Sequence, residues 1–119
     1  MTIVVTADGE TLDAPVDQRF GRAAWFIVYD SLTKEFKVVD NRQSLDAAQG
    51  AGIQAAETIS RLGAECLLTG HCGPKAFRAL AAAGIRVYSG AGGTVAEAIA
   101  SFEAGRLTQA AAADVDGHW

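Results

Sequence analysis

Leu67-Leu-Thr-Gly-His-Cys-Gly-Pro-Lys-Ala-Phe-Arg78 reads as a strand that turns tightly into a helix. Gly73 suits the N-cap. Pro74 suits the first helical position, where the N–H that proline lacks would have no partner anyway. Phe77, Leu80 and Ala81 supply one apolar helical face. His71 and Cys72 sit in the turn, at the positive end of the helix, with Lys75 just beyond. A thiol and an imidazole so placed suit an anion, a metal, or a metal cluster that is both.

From Gly63 onward the chain repeats this unit. Gly63, Gly84 and Gly105 are evenly spaced and each follows a helical stretch, as left-handed C-caps do. Ser89-Gly-Ala-Gly-Gly93 occupies the place in the next unit that Thr69-Gly-His-Cys-Gly73 holds in this one. Turn geometry explains the shared frame. It does not demand His71 and Cys72 where the second copy has Ala91 and Gly92. Thr94-Val-Ala-Glu97 then forms a capping box for the last helix. Val95, Ala98, Ile99 and Phe102 form its inner face.

Upstream, Thr2–Ala7, Trp25–Asp30 and Phe36–Asp40 read as strands, the last two as a hairpin. A polar loop from Asp8 to Arg22 carries Arg19 and Arg22 around Phe20-Gly21, and a second from Asn41 to Gln49 carries Arg42. Gly50 and Gly52 open a helix running to about Leu62, with Ile53, Ala56, Ile59 and Leu62 as its stripe. Glycine weakens a first turn, so the pair calls for either close packing or close approach of a ligand. The order βββαβαβα predicts an α/β domain: a mixed five-stranded sheet with three helices and right-handed crossovers. Strands 1, 3, 4 and 5 then end at one edge. Arg19, Arg22, Arg42, the Gly50/Gly52 turn, the His-Cys turn and the Gly90–Gly93 turn meet there, where open sheets bind ligands. The domain is expected to span residues 1–107, with 108–119 a fraying tail in which His118 is solvent-exposed.

Composition narrows the class. The chain has 119 residues, half of them apolar and a fifth charged, with a net charge of −4. One domain with a real core is expected, and general nucleic-acid binding is not. No signal-peptide pattern or membrane-length apolar run is present, and there are two cysteines. The expectation is a cytoplasmic, reduced protein. Cys66 lies in a buried strand and reads as inert core, which leaves Cys72 as the thiol to follow.

The chemistry at the turn has several readings. His71 and Cys72 are too few for a closed zinc site, which takes four protein ligands. A preformed cluster bringing its own sulfide needs fewer. A two-metal nuclease wants converging carboxylates, and strand 4 ends without one. No Walker phosphate loop occurs. A cysteine-dependent enzyme would have only His71 as its base.

Phe20-Gly-Arg22, Gly50-Ala-Gly-Ile-Gln-Ala55, Thr69-Gly-x-Cys-Gly-Pro-Lys-Ala-Phe77, Ala83-Gly-Ile-x-Val-Tyr88 and Gly93-Thr-Val-x-Glu-Ala-Ile99 together resemble the dinitrogenase iron–molybdenum cofactor biosynthesis family. The likeness runs to about Leu107. It implies an RNase H-like domain that binds or carries an anionic metal–sulfur cluster without catalysis. The cluster would contain molybdenum, as a molybdenum–copper sulfide or of the iron–molybdenum type. It would be held non-covalently or weakly. This short chain resembles the orange-protein branch, which is associated with the molybdenum–copper sulfide. With the strand-edge reading, the expected cluster contacts are Arg19, Arg22, Gly50, Gly52, His71, Cys72, Gly73, Lys75, Gly92 and Gly93, with Cys72 and His71 as metal contacts. Cofactor-assembly or ATPase proteins are the partners implied, and an adaptor docking on one of them without a cluster is the alternative. Neither nucleic acid nor membrane is expected as a partner.

Overall fold

A computed structural model describes residues 1–41 and 50–113. Arg42 and His118, named above, lie outside the described residues. The elements are β1 (Thr2–Ala7), β2 (Trp25–Asp30), β3 (Phe36–Asp40), α1 (Ala51–Arg61), β4 (Cys66–Leu68), α2 (Pro74–Ala82), β5 (Arg86–Tyr88) and α3 (Val95–Glu103). The five strands form one sheet in the order β3-β2-β1-β4-β5. β2 runs antiparallel to both its neighbours, while β1, β4 and β5 run parallel. The expected mixed α/β architecture is present, and β1, β3, β4 and β5 all end at one edge.

Alternation along β1 divides the core. Val4 faces α1 and α2, packing with Leu67, Val87, Ala55, Ile59 and Leu80. Ile3 and Val5 face α3, packing with Ile27, Leu68, Val95 and Ile99. Side chains of period two thus serve both layers of helices from one central strand.

Two helix faces differ from the sequence expectation. In α1 the buried residues are Ala51, Ala55, Ala56 and Ile59, while Ile53 is exposed. In α2 they are Ala76 and Leu80, with Phe77 half-buried and Ala81 exposed. Alanines face inward because α1 and α2 pack against each other, and small side chains permit the close approach. The tail also differs. Gln109 pairs with Tyr88, and the Ala110 N–H donates to the Val87 carbonyl at 2.8 Å. An edge strand leaves backbone groups unpaired, and residues just past 107 cover part of that edge.

The capping box of α3 is formed as expected. Thr94 Oγ1 accepts from the Glu97 N–H at 3.1 Å, and Glu97 Oε1 accepts from the Thr94 N–H at 3.0 Å. The Thr94 backbone N–H, then its hydroxyl, hold the Glu97 carboxyl below its ordinary value. A lowered acid adds stability above its unfolded pKa and loses it as pH falls through the folded one. Glu97→Gln keeps an oxygen for the Thr94 N–H but cannot titrate. The thermal midpoint of the parent should therefore exceed that of Glu97→Gln near neutral pH, and the gap should close below about pH 4.5, the ordinary value. A gap independent of pH would sink this account of the cap.

Candidate functional site

The loop between β1 and β2 runs along the strand-end edge and is tied down at both ends. The Asp8 N–H donates to the Pro15 carbonyl and the Asp17 N–H to the Thr6 carbonyl, each at 2.9 Å. The Thr6 hydroxyl donates to the Asp17 carbonyl at 2.8 Å. Thr6 has then spent its one proton, so Thr69 is the donor in the buried 2.9 Å contact between their hydroxyls. At the other end Asn41, fully buried, donates from its backbone to the Ala24 carbonyl at 2.9 Å and from Nδ2 to the Ala23 carbonyl at 2.8 Å.

Between these ties the loop pairs with the His-Cys turn. Arg19 and His71 form a parallel bridge. The His71 N–H donates to the Gln18 carbonyl at 2.8 Å, and the Phe20 N–H donates to the His71 carbonyl at 3.2 Å. Phe20 is fully buried and stacks on Phe26 at 6.1 Å, which pins the loop to the core. Arg19 is exposed, and His71 and Arg22 are half-buried. Burial pushes the Asp17 carboxyl up, against the Arg19 N–H and guanidinium that pull it down, while the Asp8 charge adds to the rise.

The three helix N-termini are not equivalent. α2 begins, as predicted, with Gly73 as N-cap and Pro74 at its first position. Among the described residues no side chain caps α1 or α2, and neither has an acid in its first turn. Lys75 is exposed in the first turn of α2. α3 is sealed instead. Val95 and Ala96 donate to the Ala14 and Leu12 carbonyls at 2.9 Å, and Glu97 donates to Thr94. Gly93 has φ +72, which suits glycine, and its carbonyl accepts from Val16 at 2.9 Å. The sequence expectation put all three N-termini in one mouth. The structure corrects this: α1 and α2 present theirs on one face of the sheet, and the donors of α3 are used by the loop. Gly92 is exposed in the turn before α3.

Cys72 also differs. The thiol expected at the mouth is fully buried in the core with Phe20, Ala76 and Leu80, its Sγ 3.7 Å from the Gly73 carbonyl. A turn residue faces either way, and a small apolar side chain gains by facing inward. Cys66 is fully buried as expected. It lies 3.7 Å from the Met1 sulfur, and burial pushes its thiol up.

The profile described as dinitrogenase iron-molybdenum cofactor matches residues 1–105. This chain belongs to that family. Its fold superposes on the apo form of the orange protein from Desulfovibrio gigas with a TM-score of 0.94, at 47% identity over 96% of each chain. A NifB-type protein from Thermotoga matches with a TM-score of 0.84, at 35% identity over 98% of each chain. A dinitrogenase-type protein from Methanocaldococcus jannaschii, at 16% identity and a TM-score of 0.70 over 94% and 96% of the chains, shares the fold. No curated protein matches.

For a member of the iron-molybdenum cofactor family the donor set is informative. Among the described residues, no three of His, Cys, Asp and Glu converge so as to hold a metal ion. What the structure brings together is the backbone pairing of Arg19 with His71 just before the start of α2, with Lys75 in the first turn of that helix and Gly50 and Gly52 opening α1 on the same face. Such a set suits an anion, held by charge and N–H donors, more than a bare cation. Asp17 and Gln18 carry the geometry here, and sequence reading named neither. Phe20 and Val16, apolar and buried in an otherwise polar loop, were the available signals of anchors. No helix among the described residues is long and apolar enough to cross a membrane.

Proposed function

We propose that this chain binds and carries an anionic metal–sulfur cluster without catalysing a reaction on it. The observation that carries the reading is the pairing of Arg19 with His71 beside the uncapped start of α2. Arg19, Arg22 and Lys75 offset the cluster's charge. Gly50, Gly52 and Gly73 open helices whose N–H groups donate to sulfide, and Gly92 and Gly93 border the rim. His71 supplies an imidazole. The likeness to an orange protein over nearly the whole chain favours a molybdenum–copper sulfide. Cys72 reaches such a cluster only if the turn opens.

Anaerobic reconstitution with tetrathiomolybdate and copper(I), followed by gel filtration, absorption spectra and metal analysis, tests this. The parent should retain molybdenum and copper, more weakly as salt rises. Arg19→Glu with Lys75→Glu should weaken retention about tenfold, since each inverts a screened surface charge of about 0.5–1 kcal/mol. His71→Ala should lower copper retention, and copper content of Cys72→Ser reads whether the turn opens. A parent that elutes without molybdenum would overturn the reading.

A further inference from the structure

We propose that Gln18 is the positioning residue of this mouth. It joins three turns and so sets the spacing between Arg19 and His71. Its carbonyl accepts from the His71 N–H at 2.8 Å. Its Nε2 donates to the Ala91 carbonyl at 3.2 Å and to the Val16 carbonyl at 3.4 Å. Gln18 thus ties the β1–β2 loop to the turn after β4 through its backbone, and to the turn after β5 through its side chain. The crossing is close. A Cβ built on Gly70 would lie 2.6 Å from Gln18 Cα and 2.8 Å from its Cδ. The two turns are also joined directly, by the Gly90 N–H donating to the Gly70 carbonyl at 2.8 Å and the Ala91 N–H to the Thr69 carbonyl at 3.0 Å.

The chemistry requires an amide. Two carbonyls face the end of this side chain, so a neutral double donor satisfies both. A carboxylate would place acceptor against acceptor. An apolar end of the same length would leave the Ala91 carbonyl without this donor. Gln18 is exposed and contributes little to the core. Its effect is on where the next residue, Arg19, is held.

The inference that this spacing governs anion binding rests on the function proposed above. Gln18→Met preserves length and removes the amide. The first measurement is amide exchange at His71 N–H, compared with Val4 N–H in the central strand. Exchange at His71 should quicken about tenfold, the effect of one hydrogen bond, with Val4 quickened no more than His71 and the thermal midpoint lowered by a few degrees at most. The second is tetrathiomolybdate affinity, which should fall about five- to tenfold by the same reckoning. Gln18→Glu should lower it further. His71 exchange as slow as in the parent would overturn the inference whatever the parent binds. Faster exchange with unchanged affinity would make Gln18 structural only and overturn it too. A parent that does not bind tetrathiomolybdate overturns the function reading, and the exchange test of the clamp still stands.

Discussion

Phe20→Ala is expected to cost about 3–5 kcal/mol, the usual loss when a buried aromatic side chain is truncated. Phe20 is fully buried although it lies in a polar loop between two arginines. It stacks on Phe26 and belongs to the same apolar cluster as Cys72, Leu80 and Ile59. The cavity would open beneath the turn, where the fully buried Cys72 thiol sits. The Phe20 N–H also donates to the His71 carbonyl, so movement of the loop breaks the pairing that places Arg19. Small domains have about 5–15 kcal/mol in total, so the variant should fold with much reduced stability. Urea unfolding with an unchanged slope and a lower midpoint is the check. Phe20→Leu refills most of the volume and should recover more than half of the loss. A cost below about 1 kcal/mol for Phe20→Ala, the range of surface changes, would show that the loop is not anchored there.

The contrast between Phe20 and Cys72 shows what could be read in advance. Strands β1, β2 and β3 were legible because β-branched and aromatic runs between polar segments have few other uses. The starts of α2 and α3 were legible because Pro74 and the Thr94–Glu97 box act locally. Left-handed glycines at 63, 84 and 105 closed the helices as their spacing suggested. Facing was harder. Periodicity found Ala56, Ile59 and Leu80, which are buried, but it also singled out Ile53 and Ala81, which are exposed, and passed over Ala51, Ala55 and Ala76, which complete the packed surfaces of α1 and α2. That choice depends on which helix lies alongside, which periodicity does not encode. Cys72 posed the same problem on one residue: its position in a turn said nothing about which way it points. The strand order brought loop 8–22 to the same edge as the turns near 71 and 93, but the bonds that pair it with residues 70–71 and 93–96 were not legible. They are mostly backbone bonds between segments far apart in sequence, and such bonds leave almost no trace in side-chain identity.

Gly70→Ala should therefore be among the most damaging small changes in the chain, at about 2–3 kcal/mol for an overpacked site. The added methyl meets Gln18 Cα at 2.6 Å, nearer than real Cβ contacts come. A flexible side chain could swing away, but this neighbour is backbone. That backbone is held on both sides of the contact, by Thr6 at Asp17 and by the Phe20 side chain in the core. The loop must rise as a unit. The His71-to-Gln18 bond and the Arg19 bridge are the first contacts it gives up. Gly84→Ala supplies the control. Gly84 has φ +75 but nothing within 4 Å of the added methyl. Its cost is backbone strain alone, about 1–2 kcal/mol. Urea midpoints should thus rank parent, Gly84→Ala, Gly70→Ala. Amide exchange should show His71 exposed in Gly70→Ala and protected in Gly84→Ala. If Gly84→Ala proves the more costly, the crossing at Gly70 yields easily. The mouth is then set by the turns themselves and not by the strand of loop laid across them.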